Sequence, residues 1–91
     1  MTVQSTLQER GSRYGTFSDN AKTTQALMVV LMEGATAETL KPQHLEALHM
    51  ICHKMARIVN GDTMWADNTH DIAGYAVLLE EWIIKNRSED V

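Results

Sequence analysis

The segment PQHLEALHMICHKMARIVNG, residues 42–61, decides the fold of this chain. Its apolar residues recur at 45, 48, 52, 55 and 59, and these alternating steps of three and four place them on one side of an α-helix. Pro42 suits the first position of that helix because its missing N–H needs no partner there, and Asn60-Gly61 is a stop signal. The segment therefore predicts a long helix with one apolar side.

A short helix is expected near the N-terminus, over residues 3–10. Gly11 favours its end, and residues 11–17 are predicted to form a loop that carries Tyr14 and Phe17. The first expectation for an aromatic pair in a loop is that both rings pack against the rest of the fold.

A longer helix is predicted between this loop and the central segment. Ser18 or Asp19 can cap it by accepting a hydrogen bond from a free backbone N–H, and it runs to about residue 33. Gly34 favours a left-handed stop, and residues 35–41 form a mobile connection.

The last predicted helix begins between Asp62 and Asp67 and ends near residue 85, before a frayed polar tail at residues 86–91. Its spacing predicts a buried stripe of Ile72, Tyr75, Ala76, Leu79 and Ile83.

These elements predict an all-α fold, a small bundle of three main helices plus a short N-terminal helix, as one domain over residues 1–91. The single proline and five glycines suit long helices, and no strand-like alternation stands out. Chains this short bury only about 60–65% of the surface that their unfolded form exposes, so we expect a homo-oligomer.

Composition restricts the classes of partner. The net charge is −4 and the eight Lys and Arg residues are dispersed, which argues against nucleic acid. No apolar run approaches the roughly 18 residues needed to span a bilayer, and no signal-peptide pattern is visible. Cys52 is the only cysteine, so a reducing compartment and a cytoplasmic location are expected.

Asp67 and Asp71 are the first candidates for chemistry. They lie four residues apart, hence on one side of the last helix, where a divalent cation such as Mg²⁺ would relieve their repulsion. The alternative is that both carboxylates only stabilise the start of the helix by capping and by interaction with its dipole. Asp71 is the stronger site candidate because it lies deeper in the helix.

Basic residues supply a second set of candidates. Lys54 and Arg57 are neighbours on the central helix and can hold a phosphate or form salt bridges with Asp71 and Asp67. The salt bridge is the simpler interpretation, and a ligand phosphate is compatible with it.

Residues before and at the start of the second helix form a third polar set. Arg10 is suited to a phosphate, and Asn20 to the edge of a base or sugar; a surface arginine and a capping asparagine are the simpler interpretations. His49 and His53 have the spacing of two metal ligands, but no third ligand is evident, so ordinary surface histidines are favoured over a metal site.

Three segments carry a resemblance: ERGSRYGTFSDNA at 9–21, HKMARI at 53–58 and DNTHDIAGY at 67–75. Together they resemble a family of small proteins of tailed phages and prophages. The resemblance covers most of the chain and implies a protein that acts in the cytosol of a bacterial host.

The last segment is also distantly similar to MazG-like, all-α nucleoside triphosphate pyrophosphatases. That resemblance implies Mg²⁺ held by Asp67 and Asp71, with Asp71 and Glu46 as catalytic carboxylates. Glu46 is the only acidic residue of the central helix, whereas Lys54 and Arg57 stand where the family has further acids. The exchange of acids for bases favours binding without cleavage.

The leading hypothesis is therefore a phage-derived, MazG-like protein that binds a nucleotide or nucleotide-like phosphate, with Mg²⁺-dependent hydrolysis as a further option. Lys54, Arg57 and Arg10 would hold phosphate, Asn20 would contact the ligand, and Tyr14 or Tyr75 would line the pocket. The alternatives are a non-enzymatic adaptor that binds a host protein, and a sponge for a signalling nucleotide of host defence.

Overall fold

A computed structural model describes residues 2–87 of the chain. The elements are α1 (Val3–Tyr14), α2 (Phe17–Met32), a 3₁₀ helix (Ala37–Thr39), α3 (Pro42–Asn60) and α4 (Ala66–Asn86). The described residues contain no strand. The predicted fold class, a small all-α bundle of three main helices and a shorter N-terminal one, is confirmed.

The central segment forms the central helix. α2 and α4 pack along α3 and make their main contacts with it, while α1 contacts α3 more sparingly. Three small residues of α3 are buried, Ala47, Cys52 and Ala56, and small side chains let neighbouring helices approach closely. α2, α3 and α4 therefore form a layer of helices with α3 in the middle.

The N-terminal helix is longer than the sequence predicts. α1 continues through Gly11 to Tyr14, so the predicted loop over residues 11–17 is wrong for most of its length. A glycine inside a helix costs only about 1 kcal/mol. The cap at the other end helps to offset that cost: Ser5 N–H donates to Thr2 Oγ1 at 3.0 Å, and Thr2 N–H donates to Ser5 Oγ at 3.0 Å.

The real break is Gly15, the only residue with positive φ among residues 2–87. The next helix is capped by Thr16, whose Oγ1 accepts from Asp19 N–H at 3.1 Å, so the predicted caps Ser18 and Asp19 are wrong. The side chain before the first helical residue is placed to accept such a bond, whereas those inside the first turn are not.

The predicted left-handed stop at Gly34 is also wrong. α2 ends at Met32, and its last turn tightens: Glu33 N–H donates to Val30 O at 3.2 Å and Gly34 N–H to Leu31 O at 3.1 Å. These bonds satisfy the carbonyls of Val30 and Leu31 without a left-handed residue. The connection that follows contains the 3₁₀ helix.

The two long C-terminal helices match their predicted bounds closely. α3 starts with Pro42 and is followed by Gly61. α4 starts at Ala66 after Trp65, so Asp67 is not the cap but lies in the first turn. α4 includes Asn86, which the sequence assigns to the frayed tail, and Arg87 follows as its C-cap. Residues 88–91 of that predicted tail lie outside the described residues.

The apolar stripes are only partly buried. On α3, Cys52 is buried, but Leu45, Met55 and Val59 of the same predicted side are exposed, because α2 and α4 cover the two flanks of α3 instead. On α4, Ala76 of the predicted stripe is exposed, and Asn68 is the fully buried side chain. No described helix has the length and hydropathy that a membrane crossing requires.

Candidate functional site

A cavity of about 710 Å³ opens between α1, α2 and α3, and we call it the basic pocket. Four basic side chains line it: Arg10 from α1, and His49, His53 and Arg57 from α3. No aspartate or glutamate is among its lining residues. In a chain of net charge −4, this pocket therefore concentrates positive charge.

Tyr14 organises the two arginines of the basic pocket. The guanidinium carbons of Arg10 and Arg57 lie 5.7 Å and 4.6 Å from the centre of the Tyr14 ring. Within the described part of the chain, neither guanidinium has a carboxylate within salt-bridge distance. Both keep their N–H donors for an anion, and planar guanidinium groups bind phosphate oxygens in pairs.

Asn20 holds Tyr14 in position at the end of α1. Its Nδ2 donates to the carbonyl oxygen of Tyr14 at 2.6 Å, and its Oδ1 accepts from Asn60 Nδ2 at 3.2 Å. Asn60 Nδ2 also lies 3.1 Å from Thr23 Oγ1, to which it donates. The amide of Asn20 thus connects α2 to the end of α1 and to the end of α3, and both of its polar atoms have partners within the chain.

The two turns at this end of the molecule are joined. Asp62 N–H donates to Arg13 O at 2.9 Å, and the Arg13 guanidinium carbon lies 4.0 Å from the centre of the Trp65 ring. A Cβ built on Gly15 would lie 2.6 Å from Asn60 O. The turn after α1 and the turn after α3 are therefore in direct contact, which holds the end of α1 beside the basic pocket.

Two further residues add polar chemistry to the pocket. Thr24 is 2% exposed, and among residues 2–87 its hydroxyl has no hydrogen-bond partner. Burial lowers the pKa of His53, and the neighbouring charges of Arg57, Lys54 and His49 lower it further, so its imidazole is neutral near pH 7. A buried hydroxyl and a neutral imidazole can each donate to or accept from a ligand.

The carboxylates predicted as a metal site lie elsewhere. Lys54 Nζ is 3.0 Å from Asp71 Oδ2, which is the interhelical salt bridge that the simpler interpretation of the sequence predicts. Asp67 lies exposed in the first turn of α4. Over residues 2–87 there is no group of three or more His, Cys, Asp or Glu side chains placed to hold a metal ion.

A protein family described as "Domain of unknown function (DUF6378)" matches the chain over residues 2–83. The chain belongs to this family. Every residue that lines the basic pocket lies inside the matched region. No curated protein and no solved structure matches the chain. The family description names no activity. The predicted likeness to phage proteins and to MazG-like enzymes therefore stays a prediction.

Within this DUF6378 domain, the predicted site residues separate into two places. Arg10, Tyr14, Asn20 and Arg57 come together in the basic pocket. Lys54, Asp67, Asp71 and Tyr75 belong to α3 and α4 and do not line it. Glu46 lines a shallower depression beside Met28 and His49.

Sequence reasoning missed His49, His53 and Thr24 as pocket residues. The histidines and Arg57 stand at 49, 53 and 57, steps of four that form one row on α3. That row is the available signal, but the sequence alone favours ordinary surface histidines at 49 and 53 because nothing in it shows that α1 lies over them. Thr24 carries no such signal, since threonines are common in apolar stripes.

Proposed function

We propose that this protein binds a nucleotide or nucleotide-like phosphate in the basic pocket. The observation that carries the proposal is the pair Arg10 and Arg57, both held against Tyr14, in a pocket that no acidic side chain lines. Two like charges that face the same ring repel each other, and neither has a counter-ion among the described residues. An anionic ligand that accepts from both guanidiniums would relieve that repulsion.

The dimensions of the pocket support a small organic phosphate. Its volume of about 710 Å³ lies within the range of about 300–1,000 Å³ typical of small-molecule sites. Leu7, Phe17 and Ala21 contribute apolar surface on which a base or another ring can lie, and Thr24 and His53 supply polar contacts. This combination of apolar walls and convergent polar groups is typical of small-molecule and cofactor sites.

Binding without cleavage is the version of the function that the geometry favours. The carboxylates expected to be catalytic, Asp71 and Glu46, do not line the basic pocket, and Lys54 already neutralises Asp71. This salt bridge does not fit the Mg²⁺ site that the MazG resemblance implies for Asp67 and Asp71. Mg²⁺-dependent hydrolysis therefore stays a prediction of the resemblance.

Calorimetry with a panel of mononucleotides, dinucleotides, inorganic phosphate and pyrophosphate, with and without Mg²⁺, tests the proposal. Wild type should bind at least one of them. Arg57→Gln should weaken binding by about 1.5–3 kcal/mol, the contribution typical of a charged hydrogen bond, which is roughly 10- to 150-fold. Lys22→Gln is the matched control because it removes a cation that does not line the pocket.

The Asp71→Asn variant distinguishes the basic pocket from the metal site predicted at Asp67 and Asp71. It should leave binding to the basic pocket unchanged because Asp71 does not line it. Loss of binding in Asp71→Asn but not in Arg57→Gln would move the site to α3 and α4 and would support the metal-dependent alternative. Wild type that binds no member of the panel would refute the proposal.

The affinity should also depend on pH. The pKa of His53 lies below its ordinary value in the unliganded chain, and a phosphate beside it favours the protonated form, so binding takes up a proton and strengthens as the pH falls towards that lowered pKa. Equal affinity at about pH 6 and about pH 8 would show that His53 does not contact the ligand.

Binding without turnover is also what a sponge for a defence signalling nucleotide requires. Chromatography of the ligand released from the protein distinguishes the two outcomes, since a sponge returns it unaltered and a hydrolase does not. A phage origin, a location in the bacterial host cytosol and an adaptor role towards a host protein are further proposals from the resemblance. The expected homo-oligomer is a separate proposal, because the basic pocket is formed within one chain.

A further inference from the structure

The depression that Glu46 lines continues the basic pocket. Gln25 of α2 and His49 of α3 line both cavities, so the two share a border. The depression has a volume of about 380 Å³ and extends from that border to Glu46. The two cavities therefore form one continuous surface along α2 and α3, which we call the long groove.

The long groove follows the axes of α2 and α3, and these two helices are antiparallel. Asn60, the last residue of α3, donates to Asn20 and Thr23 near the start of α2. At the other end of the groove, Met28 of α2 and Leu45 of α3 line the depression together. Position along α3 therefore measures distance along the groove.

Opposite charges mark the two ends of the long groove. Arg57 and Arg10 face the Tyr14 ring at one end, and Glu46 lies at the other. Residues 46 and 57 are separated by roughly 16 Å along α3, at a rise of 1.5 Å per residue. Glu46 is exposed and has no salt bridge among residues 2–87. An anionic group is therefore attracted to the arginine end and repelled from the Glu46 end.

The polar groups at the Glu46 end select the opposite chemistry. A glutamate carboxylate only accepts hydrogen bonds, whereas the amide of Gln25, which lines the same depression, both donates and accepts. A ring that carries an amino group can donate to Glu46 and share a second bond with Gln25. Inorganic phosphate and pyrophosphate carry no group that such an end would attract.

We propose that the ligand is a nucleotide with an amino-bearing base (adenine, guanine or cytosine) that lies along the long groove and donates its amino group to Glu46. This inference rests on the proposed function, because the arginines must hold the phosphate. It adds an orientation, with the base beside Gln25 and His49. Glu46, which the MazG resemblance implies as catalytic, is then a residue that determines specificity.

Calorimetry on the full chain with matched nucleotide pairs tests the inference. The pairs are adenosine and purine riboside monophosphates, guanosine and inosine monophosphates, and cytidine monophosphate and its analogue without the 4-amino group. In each pair the second member lacks only the amino group. Wild type should prefer the first member of at least one pair by at least about fivefold, the typical net effect of one hydrogen bond.

Glu46→Ala should remove this preference and leave the affinity for the amino-free member unchanged. Glu80→Ala is the matched control, because it is the same substitution at an exposed glutamate of α4 that lines neither cavity, and it should keep the preference. A purely structural role of Glu46 would instead weaken both members of a pair equally, and that result would overturn the inference.

The same titrations distinguish failure of this inference from failure of the proposed function. Wild type that binds pyrophosphate as tightly as any nucleotide, or that prefers neither member of any pair, would overturn the inference and leave the phosphate site in place. A preference that persists in Glu46→Ala would also overturn it. Wild type that binds neither nucleotides nor inorganic phosphates would refute the proposed function itself, and the inference with it.

Discussion

Substitution of Gly15 by alanine should destabilise the fold severely, and the structure gives the magnitude. Gly15 has φ +84° and ψ −179°, a conformation almost restricted to glycine, which costs an alanine about 1–3 kcal/mol. The added Cβ would also lie 2.6 Å from Asn60 O and 2.9 Å from Asn60 Cβ, so the turn must shift, at about 1–3 kcal/mol more. The expected loss is about 2–6 kcal/mol in the free energy of unfolding.

Gly74→Ala is the matched control in the same chain. Gly74 lies inside α4, and a Cβ there would meet nothing within 4 Å. Alanine should therefore raise the stability by about 0.5–1 kcal/mol, through helix propensity and a less flexible unfolded chain.

Urea unfolding followed by circular dichroism measures both variants at one protein concentration. A Gly15→Ala protein as stable as wild type would refute the argument from φ and from the contact with Asn60. A destabilised Gly74→Ala protein would show that the outer side of α4 is covered by another molecule.

Two further predictions concern groups on α3. The pKa of His53 is lowered in the folded chain, by burial and then by Arg57, Lys54 and His49, so the unfolded chain binds more protons below about pH 6.5. The free energy of unfolding present above that pH should therefore decrease as the pH falls through the folded pKa. In urea titrations at several pH values, His53→Gln should make this decrease smaller. Burial raises the pKa of the Cys52 thiol and shields its sulfur from reagents in solution. Alkylation of the folded protein by iodoacetamide should therefore be at least about tenfold slower than in urea. Equal rates would place Cys52 at the surface.

The sequence predicts the long helices well because their signals are local. Pro42 and Gly61 bound α3, and the repeat of apolar residues between them is helical whatever surrounds it. The helix ends near Gly11 and Thr16 are predicted poorly, because several neighbouring residues can each end or cap a helix. The choice between them depends on small differences in free energy.

The candidate site was predicted in part for a related reason. The side-chain chemistry of Arg10, Tyr14 and Arg57 predicts them as site residues, and the fold brings both arginines to the Tyr14 ring. Spacing on α3 predicts that Lys54 acts together with Arg57, yet Lys54 faces Asp71 on α4. Spacing along one helix shows which residues are adjacent, but not which neighbouring helix each one meets.

The contact between the two turns has a consequence for anyone who modifies this protein. Surface turns ordinarily accept inserted tags, labels and protease sites. Here the segment around Asp62 is hydrogen-bonded to the end of α1, so an insertion there would also displace the helix that borders the basic pocket. An affinity tag or fluorophore is therefore better placed at a chain end, because the signal of a label between α3 and α4 would reflect the displacement of α1 that the label itself causes.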